Sequence, residues 1–158
     1  MKGIRFIPLL ICLVVPLAIG GLSGYLTVSG LSGWYTALIK PSFNPPNFVF
    51  GPVWTLLYLL MGVSLYMIWS ETQHPDRRIA LIIFGTQLFL NFWWSILFFQ
   101  MESPLLALVE IALLWLSILY MIIRFRRIKP VAGYLQIPYL LWVSFASLLT
   151  GSIWWLNR

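Results

Sequence analysis

The chain has 158 residues, 61% of them hydrophobic and 9% charged, with ten Lys and Arg against four Asp and Glu. A soluble domain averages roughly 45–50% apolar and ~25% charged residues, so this composition excludes one, along with a disordered chain. Cys12 is the sole cysteine, which also excludes an internal disulfide scaffold. An integral membrane protein remains, and at ~20 apolar residues per crossing the chain has room for about six or seven spans at most.

Five apolar runs are long enough to cross. The first, about Phe6 to Val28, opens like a signal peptide: Lys2 and Arg5 precede the apolar stretch, and Ala18, Ile19 and Gly20 resemble a cleavage site. It runs longer than a signal-peptide core and continues through Tyr25 to Val28, which predicts a retained first helix. The others cover about Phe48 to Trp69, Ile79 to Phe99, Leu105 to Ile123 and Val131 to Leu156. Backbone amides find no water in hydrocarbon, so such runs must be helical. None shows the apolar–polar alternation of a barrel strand. The expected fold is an all-α five-transmembrane-helix bundle, one domain over residues 1–158.

Three connections are short and polar, residues 71–78, 100–103 and 124–130, and force antiparallel neighbours. The first connection, Ser29 to Asn47, is long and rich in proline and aromatics, and long ordered loops are more often functional. Pro41, Pro45 and Pro46 stiffen it, while Trp34, Tyr35 and Phe43 give it an apolar underside. With Lys40 it is expected to lie as a lid over the outer end of the bundle.

Lys and Arg fix the orientation. Lys2, Arg5, Arg77, Arg78, Arg124, Arg126, Arg127 and Lys129 gather on one side, with Lys40 and Arg158 on the other. The N-terminus is therefore expected inside a cytoplasmic-type membrane, with the long loop and the C-terminus outside. The net charge of +6 reads as a topology signal and a grip on the lipid bilayer. No nucleic acid partner is implied, because the basic residues divide among three short segments.

Polar side chains inside the runs carry the most information, since hydrocarbon penalises them. Gln87 and Asn91 stand four apart, one above the other, and Trp94 and Ser95 continue the stripe. This face should look inward, either hydrogen-bonding a neighbouring helix or meeting a ligand. Glu110, two turns into the fourth run, must be protonated, partnered or stretched to the interface. No second acid or base lies inside a run to complete a proton relay, which favours a structural role. Of nine tryptophans, Trp34, Trp69, Trp154 and Trp155 fall near run ends as interfacial anchors. Trp54, Trp94, Trp115 and Trp142 lie deeper. Trp54, Tyr58 and Met61 share one stripe, and Tyr139, Trp142, Ala146 and Leu149 another. Such stripes suit ordinary packing, but buried indoles need partners for their N–H groups, and several facing one interior suit a flat aromatic ligand. His74 stands alone beside Pro75, with no second His or Cys at ligand spacing, so no metal site is expected. Gly20 with Gly24, and Ser147 with Gly151, are small-residue pairs that can mark helix contacts within or between protomers.

The series Trp34, Tyr35, Lys40, Pro41, Pro45, Pro46, Val49, Phe50, Gly51, Pro52, Val53, Trp54, Leu57, Tyr58 resembles the first-loop and second-helix signature of the translocator proteins. These are also called tryptophan-rich sensory proteins or peripheral-type benzodiazepine receptors. Gln87, Asn91, Trp94, Phe98 and Phe99 resemble the family's third helix, Ala107 to Glu110 its fourth, and Pro138, Tyr139, Trp142, Phe145 and Ala146 its fifth. The likeness covers nearly the whole chain in order.

The resemblance implies a homodimer of five-helix protomers, a receptor or sensor that binds porphyrins such as protoporphyrin IX and haem as ligands, with no obligatory cofactor. It also implies sterols and benzodiazepine-type compounds as further ligands. Carried over by position, the pocket wall is Trp54, Tyr58, Asn91, Trp94, Trp142 and Ala146. Some bacterial members are credited with degrading porphyrin in light and oxygen, which would fall to Trp54 and Trp142 here. Transport of tetrapyrroles is the alternative role within the family, and a passive membrane scaffold is the alternative outside it. Ion-coupled transport fits poorly, because five helices do not form repeated halves. The chain departs from the family at Leu149–Thr150, where many members have Leu-Asn. It also lacks the tyrosine of the C-terminal sterol pattern, although Leu116, Tyr120 and Arg124 form a similar pattern elsewhere.

Overall fold

The computed structural model describes residues 5–158, so Lys2 lies outside the described residues. Seven α-helices follow in order: α1 (Phe6–Ser32), α2 (Trp34–Ala37), α3 (Asn47–Trp69), α4 (Arg77–Ser95), α5 (Pro104–Ile128), α6 (Pro130–Tyr134) and α7 (Ile137–Leu156). A π-helical turn, Ile96–Gln100, prolongs α4. Five segments are long and apolar enough to span, the fifth being α6 and α7 together. The chain is an all-α, five-span, multi-pass membrane protein.

Three boundaries differ from those expected. The fourth span continues as helix to Ile128 instead of stopping at Ile123. Arg126 and Arg127 occupy its last turn, where cations complement the helix dipole, and arginine stems can lie along apolar surface with their heads in water. The fifth span is broken at Leu135 and Gln136, because Pro138 has no N–H to bond the carbonyl of Tyr134. The break is held in place, not loose: Gln136 is fully buried and its Nε2 donates to the Leu60 carbonyl at 3.3 Å. Nearby, the Ser64 hydroxyl donates to the Ala132 carbonyl at 2.7 Å. The first connection is shorter than expected, residues 33–46, and contains α2.

Around the bundle, α1 lies against α3, α4 and the π turn, and α5 packs on α4, α6 and α7. α3 and α7 meet through aromatic rings, Trp54 with Tyr139 and Trp142, and Phe50 with Trp142. Between α5 and α7 the Trp115 indole donates to the Ser144 hydroxyl at 2.8 Å. Interhelical hydrogen bonds in membranes are worth only about 0.6 kcal/mol each on average, so close packing carries much of the association. Two glycines permit that closeness for α1. A Cβ on Gly62 would stand 2.7 Å from the Leu13 Cα, and one on Gly30 would collide with the Phe99 carbonyl. Gly20 meets the Tyr58 ring in the same way, a contact within the protomer, while a Cβ on Gly24 would meet nothing within 4 Å. Gly151 approaches Leu108 of α5.

The loop is fastened at both ends of its course. Tyr35 is buried and packs edge-on against Phe98 and Phe99. Phe43 meets Phe145 of α7. Ile39 and Asn157 exchange two hydrogen bonds, the Ile39 N–H donating at 3.0 Å and the Asn157 amide returning one at 2.9 Å.

Replacing Gly62 with alanine should lower stability by about 1–3 kcal/mol, the usual range for overpacking, because the obstacle is backbone. Gly85→Ala meets nothing within 4 Å and should be neutral or slightly stabilising, as alanine favours helix by up to about 1 kcal/mol. Thermal melting of the two variants in one detergent makes the comparison.

Candidate functional site

α3 sets Trp54 and Tyr58 one turn apart, and their rings stack at 5.5 Å with 25° between planes. The Tyr58 hydroxyl reaches α4 and donates to Asn91 Oδ1 at 2.7 Å, inside the bundle. From α7, Tyr139 sets its ring edge-on to Trp54 at 6.2 Å. Its hydroxyl approaches the same Asn91 carboxamide without closing a hydrogen bond. Trp142, one turn further along α7, stands perpendicular to Trp54 at 6.5 Å between centroids. Three helices thus contribute to one aromatic block, with Asn91 as its polar tie.

Around this block lie polar groups without partners among the described residues. Gln87 is fully buried and neither of its amide atoms is hydrogen-bonded. Both carboxyl oxygens of Glu110 are also unpartnered and shielded from solvent, so the side chain neither reaches the interface nor meets a partner. The indole N–H groups of Trp94 and Trp142 are buried and unpaired. A buried unpaired donor is costly, and a site with several has polar capacity in reserve for a ligand or water.

The π turn builds the outer part. Its wider coil, closed by Met101 N–H donating to the Ile96 carbonyl at 2.8 Å, lets the consecutive Phe98 and Phe99 both turn inward. Phe98 stacks on Trp94 at 5.7 Å and meets Trp34 edge-on at 5.5 Å. The loop closes over them through Tyr35, whose hydroxyl donates to Asn44 Oδ1 at 2.7 Å. Burial pushes the Tyr35 phenol above its ordinary range, and the Asn44 bond opposes this in part. Lys40 turns back on the loop: its Nζ lies 4.8 Å above the Tyr35 ring and donates to the Thr36 and Leu38 carbonyls at 3.3 Å.

Two cavities flank the aromatic block. The larger, about 340 Å³, lies between α1 and α3 and is lined by Gly20, Gly21, Gly24, Phe50, Trp54, Tyr58 and Trp94, with Tyr35 above. The smaller, about 20 Å³, is bordered by Trp54, Trp94, Trp142 and Ala146, room for about one water. Phe50, Trp54 and Trp94 border both, forming a partition. The model describing the TspO/MBR family matches residues 12–156. The chain belongs to the TspO/MBR family.

The relatives are consistent with that membership. The tryptophan-rich protein TspO of Chlorobaculum tepidum is 40% identical, covering 97% of this chain and 98% of its own. The tryptophan-rich sensory protein of Cereibacter sphaeroides is 34% identical over 72% of this chain and 70% of its own. The human translocator protein is 34% identical over 77% of this chain and 73% of its own. This is a TspO/MBR family protein of the membrane sensory and translocator type.

The six residues expected in the family pocket do not share one space. Trp54 and Trp94 border both cavities, Tyr58 lines only the larger, and Trp142 and Ala146 only the smaller, while Asn91 touches the block through Tyr58. Of the loop residues, Trp34 and Lys40 pack on aromatics, and Pro41 lies beside an outer groove with Ser147 and Gly151. Pro45 accepts a hydrogen bond from the Asn44 amide at 3.0 Å, and Pro46 leads into α3. Tyr120 and Arg124 of the sterol-like pattern pair with each other, the guanidinium donating to the hydroxyl at 2.6 and 3.0 Å. His74 accepts the Asp76 N–H at 3.2 Å in the α3–α4 turn, away from the aromatic block. Sequence reasoning missed the glycine wall of the larger cavity, although the Gly20–Gly24 spacing was its signal. It also missed Gln136, which nothing in the hydropathy pattern marks.

Tyr58→Phe leaves the buried Asn91 carbonyl without its donor and should lower stability by about 1–3 kcal/mol. Glu110→Gln removes no ion pair and should melt close to the parent. Thermal unfolding of both in detergent tests the pair.

Proposed function

We propose that the chain is a receptor for porphyrin-type ligands, taken up between the glycine face of α1 and the aromatic block. The supporting observation is the 340 Å³ cavity walled by Phe50, Trp54, Tyr58 and Trp94. It falls within the range of small-molecule sites, about 300–1,000 Å³. Indole faces suit stacking on a planar macrocycle, and the free N–H groups of Trp94 and Trp142 suit its polar edges. A ligand touching both Trp54 and Trp142 needs both compartments, so in this reading binding swings the Trp54–Phe50 partition aside. The first loop then acts as the lid. Lys40, already bonded to backbone carbonyls, would have to release them to meet a propionate. The ligand is porphyrin or haem, with no obligatory cofactor, and sterols and benzodiazepine-type compounds are further candidates.

The same reading places the protein as a homodimer in a bacterial cytoplasmic membrane, N-terminus inside, in keeping with the excess of Lys and Arg at that end. A second reading draws on the Trp54–Trp142 contact at 6.5 Å. An illuminated porphyrin takes an electron from an adjacent indole, and dioxygen serves as terminal oxidant, so that Trp54 and Trp142 act in porphyrin degradation.

Protoporphyrin IX titrated in the dark into detergent-purified protein should quench tryptophan fluorescence saturably. Trp54→Phe should weaken binding about 3- to 10-fold, given 0.5–1.5 kcal/mol for an aromatic contact. Gly24→Phe, at a position open to the cavity, should abolish binding while the melting temperature holds. Unchanged titrations in both variants would leave a scaffold bundle. Loss of porphyrin absorbance in light alone, requiring both Trp54 and Trp142, would mark degradation, and intact bound porphyrin a sensor or carrier.

A further inference from the structure

At the end of the bundle opposite the first loop, α5 and α6 meet around a groove of about 340 Å³ lined by Ile123, Arg126, Arg127, Pro130 and Tyr134. Gly133 makes the junction tight: a Cβ there would collide with the Arg126 Cγ and stand 3.0 Å from the Ile122 carbonyl. The Arg126 guanidinium lies 5.0 Å from the Tyr134 ring centroid, and its Nη2 donates to the Tyr134 hydroxyl at 3.5 Å. Contacts therefore hold this cation in place before any ligand arrives.

The charge balance at this end is uneven. Glu71 pairs with Lys129 at 3.1 Å, and Asp76 with Arg124 at 3.9 Å. Of the two other acids in the chain, Glu102 follows the π turn at the opposite end and Glu110 is buried within α5. Arg126 and Arg127 are left side by side, both exposed, with no acidic partner among the described residues. Both arginines border the one groove, and a guanidinium fork matches phosphate oxygens. Ile123, one turn deeper along α5, is an exposed apolar surface continuous with the groove. The site is thus cationic at its rim and apolar below, at the depth where the fourth span leaves the hydrocarbon.

We propose that the α5–α6 groove binds the phosphate of an anionic phospholipid between Arg126 and Arg127, with an acyl chain descending along Ile123. The chemistry is that of a basic interhelical pocket reading a lipid head group. It is independent of the porphyrin site, which lies at the other end of the molecule.

Native mass spectrometry of the full chain in detergent, with phosphatidylglycerol or phosphatidylcholine added at equal concentration, tests the assignment. One phosphatidylglycerol should be retained in preference to phosphatidylcholine. At about 1 kcal/mol, or roughly 5-fold, per basic residue near the membrane surface, R126Q/R127Q should weaken retention roughly 30-fold. Arg127→Gln alone, which leaves the Arg126–Tyr134 contact intact, should weaken it about 5-fold with the melting temperature unchanged. Arg78→Gln, outside the groove, should retain lipid as the parent does. Equal retention of the two lipids would overturn the proposal, as would an Arg78→Gln loss matching that of the double variant. Displacement of phosphatidylglycerol by equimolar inorganic phosphate would also overturn it, because the groove would then read the free ion.

Discussion

The two pinned crossings of α1 set the geometry from which the rest follows. Near one end, Gly62 lets α3 press against the backbone at Leu13. Near the other, Gly30 lets α1 meet the Phe99 carbonyl of the π turn. A helix held so closely at two points cannot collapse between them, and the residues it presents there, Gly20, Gly21 and Gly24, have no side chains to fill the interval. Only at Gly20 is the gap closed, by the Tyr58 ring. The large cavity is the remainder. It needs no unusual residue, only an absence of bulk between two tight contacts.

On the far side of that space the aromatic block is held by few polar bonds. Asn91 receives the Tyr58 hydroxyl and thereby sets the tilt of the Trp54–Tyr58 stack. Trp54 in turn touches both Tyr139 and Trp142 of α7. A change at any one ring is felt by the others, because interiors are close-packed and transmit strain. The indole N–H groups of Trp94 and Trp142 are then polar capacity that packing leaves unused, on residues that border the cavities.

The spans were legible because hydrocarbon imposes a length and forbids unpaired backbone, and five uninterrupted apolar runs satisfy both. The inward face of α4 was legible too: Gln87, Asn91 and Trp94 stand at helical spacing and all three are buried. What the pattern concealed depends on contacts between distant segments. Hydropathy ended the fourth span at Ile123, but the backbone continues coiling through Arg127 since charge does not disfavour helix at a water interface. The break before α7 has a local cause in Pro138, but the bond that holds it, from Gln136 to the Leu60 carbonyl of α3, has no local signal. The division of Trp54 and Trp142 between two compartments arises from where rings come to rest, and spacing alone treats them as one wall.

The π turn at Ile96–Gln100 has a bearing on how this architecture tolerates change in chain length. A π turn amounts to a helix carrying one residue more than regular coiling would hold, often at functional sites. Removal of a single residue from the segment would restore ordinary winding, in which consecutive side chains stand about 100° apart about the axis, at 3.6 residues per turn. Phe98 and Phe99 could no longer both face the bundle, and the platform beneath Trp34 and Tyr35 would lose one of its rings. Hydropathy would scarcely register such a deletion, yet it would unseat the roof of the chamber.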